Sequence, residues 1–270
     1  YFYTHNERYL EKAEYLTALC LDGWDKNKNQ NGTEFGGITW GPAYESKHTC
    51  SNAPLIRPLV RLHEHYKKKA DKIEGIKKSD YYLDWAKKIF DYCEKKLKRN
   101  DHIYGDLTRY SMNYNGASVI IDGKEYKKKM TVSEQVNSFD PTGYSYNTGA
   151  MISGASALYK ATGDIEYLNS AKAGADSAFT IFTVLDKKRG LYRFISHEGG
   201  NKSTLWFNAI LLLGFIDLFP YYAECGKYIS EFGKQLDYAF DHYQNEEGLL
   251  PFNYTEGWEK PDGCNTRDTD

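Results

Sequence analysis

TGYSYNTGAMISGASALYKATGDIEYLNSA, from Thr142 to Ala171, reads as one helical hairpin. From Ser145 to Ala161 the residues are small or apolar nearly all round, which is the pattern of a helix buried on every side. The short turn ATGD, Ala161 to Asp164, follows, and then IEYLNSA, Ile165 to Ala171, opens an amphipathic helix. In that helix the Tyr-Leu pair and the Ala three residues after the Leu share one face, and polar residues fill the other. An inner helix and an outer helix are therefore expected side by side.

The same grammar recurs along the chain. ERYLEKA at Glu7 to Ala13 and DYYLDWA at Asp80 to Ala86 repeat the outer-helix opening. Ser51 to Tyr66 and Leu205 to Phe219 repeat the inner-helix character. Short turns follow the inner segments at YTHNE, Tyr3 to Glu7, and FPYY, Phe219 to Tyr222, with a longer one at Lys67 to Ser79. The return connections are long: Gly23 to Cys50, Lys98 to Gly143, Thr183 to Lys202, and Gln244 onward. If the short turns share one end of a ring of hairpins, the long loops share the other, over the N-termini of the inner helices. Long loops in a compact domain are usually functional, and helix N-termini offer free N–H groups to polar ligands.

The expected fold is all-α, an (α/α)6 toroid in a single domain over residues 1–270. Four inner/outer pairs are read here where a closed ring needs six, so the ring is expected to be incomplete at both ends. Tyr1 reads as the tail of an inner helix, and NTRDTD stands where another would begin. One small β-hairpin is expected in SVIIDGKEYKKKM, Ser118 to Met130, turning at Asp122-Gly123, with Lys127 to Lys129 on a solvated strand edge.

Composition narrows the function. A net charge of −2 from 35 basic and 37 acidic interleaved residues argues against a nucleic-acid partner. The aromatic share is 16%, with 24 tyrosines, and an aromatic face with a polar tip suits both wet helix packing and stacking on sugar rings. Trp40, Tyr144 and Tyr146, in loop positions, fit the second use best. Cys20, Cys50, Cys93, Cys225 and Cys264 are odd in number and lack a CxxC, so neither a zinc site nor a disulfide framework is expected. His63 and His65 lie two apart on a helix and point to different sides, so no metal site is expected. The apolar run Leu205 to Phe219 falls short of the ~18 residues of a membrane span. No secretion signal is legible, and the start at Tyr1 reads as a processed end.

The polar-aromatic approach to the small-residue helix, at Thr142 to Asp164, resembles the YNQG-type inner-helix segment of glycoside hydrolase family 76, the endo-α-1,6-mannanases. Further pieces follow in that family's order: DGWDKNKNQNGTEFGGITW at Asp22 to Trp40, then Lys47 and the pair Asn52-Ala53, then YYLDWAKKIFDYCEKKL at Tyr81 to Leu97, then Asp106. The resemblance implies hydrolysis of α-1,6-mannan or mannooligosaccharides with retention of configuration, without a cofactor. Retention needs two carboxyl groups about 5 to 5.5 Å apart. The family supplies them as an adjacent Asp-Asp pair, one the nucleophile and one the acid/base. This chain contains no Asp-Asp dipeptide, and the resemblance places the pair upstream of Tyr1.

The substrate-binding residues it implies are Asp106, Tyr146 and Asn147, with Trp40, Lys47 and Asn52 behind them. Asp106 would accept hydrogen bonds from sugar hydroxyls, Asn147 would donate and accept at an inner-helix start, and Trp40 or Tyr146 would stack on a ring. The structural alternatives are an Asx turn at Asp106 and a helix cap at Asn147. Arg267 matches an arginine before the family's last inner helix, and Glu134, Asp140 and Glu198 are carboxylates in the long loops. The expected partner is a neutral polysaccharide, and the chain is expected to be a monomer acting outside the cytoplasm, at the cell surface or in the periplasm. The rival readings are a non-catalytic glycan-binding protein and another (α/α)6 carbohydrate enzyme, such as an unsaturated glucuronyl hydrolase, since the fold alone does not determine chemistry.

Overall fold

A computed structural model describes residues 4–28, 31–41, 46–121, 123–200 and 204–258. Of residues 110–117, 119, 121 and 126–137 it describes the backbone alone. The fold is mostly helical, and the chain divides into two compact units, residues 1–98 with 105–141, and 99–104 with 142–270.

The first unit begins with α1, Glu7–Asp22, whose N-terminus is capped by the Asn6 side chain accepting from the Arg8 N–H. Then come β1 (Ser46–His48), α2 (Thr49–Asn52), a 3₁₀ turn (Ala53–Leu55) and α3 (Ile56–Tyr66). After the two-stranded pair β2 (Lys72–Ile73) and β3 (Ile76–Lys77), α4 (Lys78–Lys96) packs against α3. Ile56, Leu59, Ile89, Cys93 and Leu97 are fully buried in this hairpin. A polar clasp holds α1 to α4: the Glu14 carboxylate accepts from Lys78 Nζ and from the Tyr82 hydroxyl, both at 2.7 Å. Burial raises the Glu14 pKa, but these bonds outweigh it and hold the carboxyl below its usual range.

The single inner helix expected over Ser51 to Tyr66 is broken in the structure. Pro54 falls in the 3₁₀ turn between α2 and α3, where the missing N–H is tolerated. The helix α3 is also amphipathic rather than apolar all round, since Arg57, Arg61, Glu64 and His65 are not buried while Ile56, Leu59, Val60, Leu62, His63 and Tyr66 are. The shared apolar face expected of the outer helices holds in part in α4, where Tyr82 and Ala86 are buried and Leu83 is half-buried, but in α1 only Leu10, Thr17 and Leu21 are buried.

The hairpin expected near Asp122-Gly123 is present and much longer than the sequence pattern indicates. Strands β4 (Leu107–Ile121) and β5 (Lys124–Asp140) pair antiparallel from Leu107↔Asp140 to Ile121↔Lys124, with three register shifts. Gly123 takes φ +73°, as a tight turn requires, and Asp122 lies outside the described residues. On its other edge β4 pairs with β1, with His48 opposite Leu107.

The second unit is built on α5 (Ser145–Thr162) and α6 (Ile165–Ile181), followed by β6 (Thr183–Asp186), β7 (Leu191–Phe194), α7 (Leu205–Leu218) and α8 (Cys225–Tyr243). Gly163, at φ +74°, ends α5 with its N–H on the Tyr159 carbonyl, and the Asp164 side chain caps α6. The small face of α6, with Ala171, Gly174, Ala175 and Ala178 buried, allows close packing against α5. The antiparallel pair β6–β7, unforeseen in the Thr183 to Lys202 loop, packs on α8.

Helices α5 and α7 run parallel, because their contacts ascend together: Ser145 with Asn208, Gly149 with Leu211, Ser153 with Asp217. Their backbones nearly touch. A Cβ on Gly149 would lie 2.5 Å from the Leu211 Cα and 2.6 Å from the Ile210 carbonyl oxygen. Gly149→Ala is therefore expected to force the helices apart and to destabilise the protein by about 1–3 kcal/mol. Urea unfolding checks this: an unchanged midpoint would show that the helices have room to move. The expectation that α7 is buried on every side needs correction. Leu205, Trp206, Leu213 and Ile216 are exposed among the described residues, so the apolar composition marks one face against α5 and another left open.

Candidate functional site

In the first unit the alternation of β1 sends Lys47 to one face and Ser46 and His48 to the other, with Ser46 and Lys47 both buried. Lys47 points inward and is wholly buried, with Nζ 2.7 Å from Asp25 Oδ2 and 2.6 Å from the Gly36 carbonyl oxygen. Burial lowers the pKa of this ammonium, and the Asp25 charge opposes the shift without cancelling it. Asn52, equally buried, accepts from the Ile38 N–H at 2.7 Å and donates to the carbonyls of Ile38 and His48. Two of the sequence candidates thus bind the loop leading to Trp40, which fits support of that loop better than contact with a ligand.

Trp40 and Asp106 each neighbour the same residue, His48. The Trp40 indole, 50% exposed, lies against the His48 imidazole at 4.6 Å between ring centroids and 39° between planes. His48 Nδ1 is 3.8 Å from Asp106 Oδ2, and its Nε2 is 2.9 Å from the Ser46 hydroxyl. The backbone holds all three: the Trp40 N–H donates to the Ser46 carbonyl, the Thr49 N–H to the Asp106 carbonyl, and the Asp106 N–H to the Asp140 carbonyl. Gly105 is required beside Asp106, since a Cβ there would lie 2.6 Å from both the Asp140 carbonyl oxygen and the Phe139 ring. Sequence reading missed His48 because it treated Ser46–His48 as loop. Recognised as a strand, that segment would have put His48 on the face opposite Lys47.

In the second unit Tyr144 and Tyr146 are not loop residues. Tyr144 is the N-cap of α5 and Tyr146 lies in its first turn. Tyr146 stacks on Tyr144 and on Trp206 at 5.6 Å and 24° in both cases, and Phe207 meets Tyr146 edge-on at 4.4 Å. Because α5 and α7 are parallel, their first turns supply rings to one aromatic ladder. Trp206, 57% exposed at its open end, escaped the sequence reading because it opens a segment that looked uniformly buried.

Asn147 is wholly buried, and neither its Oδ1 nor its Nδ2 has a hydrogen-bond partner among the described residues. It is not the helix cap, since Tyr144 occupies that position. An unsatisfied buried polar group costs about 1–3 kcal/mol, so folding alone does not account for this carboxamide. Asn147→Leu, similar in shape and apolar, is expected to stabilise the protein by about 1–3 kcal/mol. Thermal unfolding checks this: a lower melting temperature would mean that the amide is satisfied after all.

Of the remaining carboxylates, Glu198 is gripped by Arg99 at 2.5 and 3.2 Å, and Asp101 holds the same guanidinium. Both acidic partners hold the Arg99 pKa above its ordinary value, with Glu198 the larger influence. Asp140 contributes its backbone carbonyl to Asp106. The Glu134 side chain and Arg267 lie outside the described residues. No group of three or more His, Cys, Asp or Glu residues is arranged to hold a metal ion among the described residues.

The family model for glycosyl hydrolase family 76 matches residues 2–224. A mannan endo-1,6-alpha-mannosidase of Candida glabrata, DCW1, is 24% identical over 155 residues, covering 57% of this chain and 28% of the relative. Among solved structures, the family 76 glycoside hydrolase (mannosidase) Bt3792 of Bacteroides thetaiotaomicron superposes with a TM-score of 0.70 at 25% identity, over 95% of this chain and 60% of that one. An inactive variant of the α-1,6-mannanase GH76A of Salegentibacter, in complex with α-1,6-mannotetrose, superposes at 0.64 with 23% identity, over 96% of this chain and 66% of that one. The chain thus spans less than two thirds of the length of each.

Proposed function

The chain belongs to glycosyl hydrolase family 76, and we propose that it is part of an enzyme that cleaves α-1,6-mannan or its oligosaccharides with retention of configuration, on a single (α/α)6 domain. The observation that carries the reading beyond family membership is the half-exposed Trp40 indole and the Asp106 carboxylate, each a neighbour of His48. An indole face stacks on the C–H face of a pyranose, and a carboxylate accepts hydrogen bonds from sugar hydroxyls at its edge. Tyr146 and Trp206 offer a second aromatic surface, and Asn147 a buried amide with no hydrogen-bond partner among the described residues. A polymer of neutral sugars also suits a chain with net charge −2.

The reading assigns nucleophile and acid/base to an adjacent aspartate pair outside these 270 residues, because no Asp-Asp dipeptide occurs among them. The residues described here bind and position the glycan. A cofactor has no part in this chemistry. We place the enzyme outside the cytoplasm, at the cell surface or in the periplasm, as a monomer. No helix of the described residues is long and apolar enough to cross a membrane.

Incubating the full-length protein with α-1,6-mannotetraose and following the anomeric protons by NMR tests the proposal. The expected first product carries the α configuration at its new reducing end. A β product would overturn retention, and an intact tetrasaccharide that nevertheless binds would favour a glycan-binding protein without catalysis.

A further inference from the structure

Strand β1 ends in His48, and three segments of the first unit meet there: the loop carrying Trp40, β1 itself, and the residue preceding β4, Asp106. Their backbones are tied together, through the Trp40 N–H on the Ser46 carbonyl, the Thr49 N–H on the Asp106 carbonyl, and the register His48↔Leu107. Their side chains have no such constraint from the backbone. An exposed indole turns about two side-chain bonds, and holding a side chain still on binding costs about 0.5–1.5 kcal/mol.

We propose that His48 is a positioning residue for sugar binding, fixing the angle of the Trp40 indole. The inference rests on the reading of Trp40 and Asp106 as sugar-binding groups. The imidazole is anchored on one edge, with Nε2 2.9 Å from the hydroxyl of Ser46, a residue only 3% exposed. Its other nitrogen, Nδ1, lies 3.8 Å from Asp106 Oδ2, and the ring packs against the indole with centroids 4.6 Å apart and planes tilted by 39°. One ring thus neighbours both the stacking surface and the hydrogen-bond acceptor. A pyranose that stacks on Trp40 while donating a hydroxyl to Asp106 needs both at a fixed offset, and a preset offset removes the ordering cost from binding. His48 then acts on affinity and leaves the chemical step unchanged.

Steady-state kinetics of the full-length protein on α-1,6-mannotetraose test this, with His48→Ala, His48→Phe and His48→Gln, and with Trp40→Ala as the control for the underlying reading. His48→Ala is expected to raise KM about five- to tenfold, the scale of one lost preorganised side chain, with kcat within about twofold. His48→Phe, which keeps a ring under the indole, recovers at least half of that loss on a logarithmic scale. His48→Gln keeps a polar group for Ser46 and no ring, and resembles Ala. A KM for His48→Ala within twofold of wild type, while Trp40→Ala raises it, overturns the inference and leaves the site reading standing. A fall in kcat at unchanged KM overturns it as well. If Trp40→Ala leaves KM unchanged, or the wild-type protein does not turn over the tetrasaccharide, the reading beneath the inference fails and takes it along. Should the Ala variant not fold, the contrast between Phe and Gln decides: equal KM values count against ring support.

Discussion

Asp25→Ala is expected to destabilise the protein by about 3–5 kcal/mol, the cost of leaving a buried charge without its partner. Lys47 is wholly exposed to this loss, because its side chain has no accessible surface and its ammonium lies 2.7 Å from the Asp25 carboxylate, whose own side chain is 3% exposed. The Gly36 carbonyl would remain as an acceptor but carries no compensating charge. For a protein of this size the loss corresponds to a fall in melting temperature of about 10 °C. The double replacement Asp25→Leu with Lys47→Met is expected to recover most of it, since a buried ion pair exchanged for apolar groups of similar volume is often neutral. Calorimetric melting of both variants checks the account. A single variant that melts within about 1 °C of wild type would show that Lys47 reaches water or another anion, and would return it to the candidates for direct ligand contact.

Asp106→Ala is expected to lower kcat/KM on α-1,6-mannotetraose about a hundredfold, or about 2.7 kcal/mol of binding to the transition state. The main chain at Asp106 is secured through its own N–H and carbonyl, bonded to Asp140 and Thr49, so removal of the carboxylate leaves the strand junction intact. The melting temperature should accordingly stay near the wild-type value. Activity near wild type would remove Asp106 from the site, and a joint loss of stability and activity would make it a structural residue.

The hairpin α5–α6 was fully legible from its residues, because a helix without a polar face and a turn such as ATGD have few alternatives. The break at Pro54 is not apparent from apolar content, and its one sign in the residues is the proline's missing N–H. The length of the β4–β5 hairpin was underestimated because clear alternation is confined to the residues flanking Gly123, while its register shifts at Arg109/Tyr110, Tyr110/Met112 and Tyr114/Ser118 break the period of two elsewhere. Trp40 and Asp106 are candidates by family likeness, while their neighbour His48 belongs to a three-residue strand too short to show a period. Lys47 and Asn52 show the opposite limit. The family resemblance points to both, yet whether a lysine ends in solvent or against a buried aspartate depends on long-range packing. Trp206 was concealed in the same way, since an apolar run gives no sign of which side faces water.

The most direct test is the action of the full-length protein on polymeric α-1,6-mannan, following reducing ends and chain length together. The account predicts new reducing ends and a fall in chain length, as α-1,6 bonds are cut. Mannan that is retained by the protein without any new reducing ends, or cleavage of an unsaturated glucuronide with mannan left untouched, would contradict it.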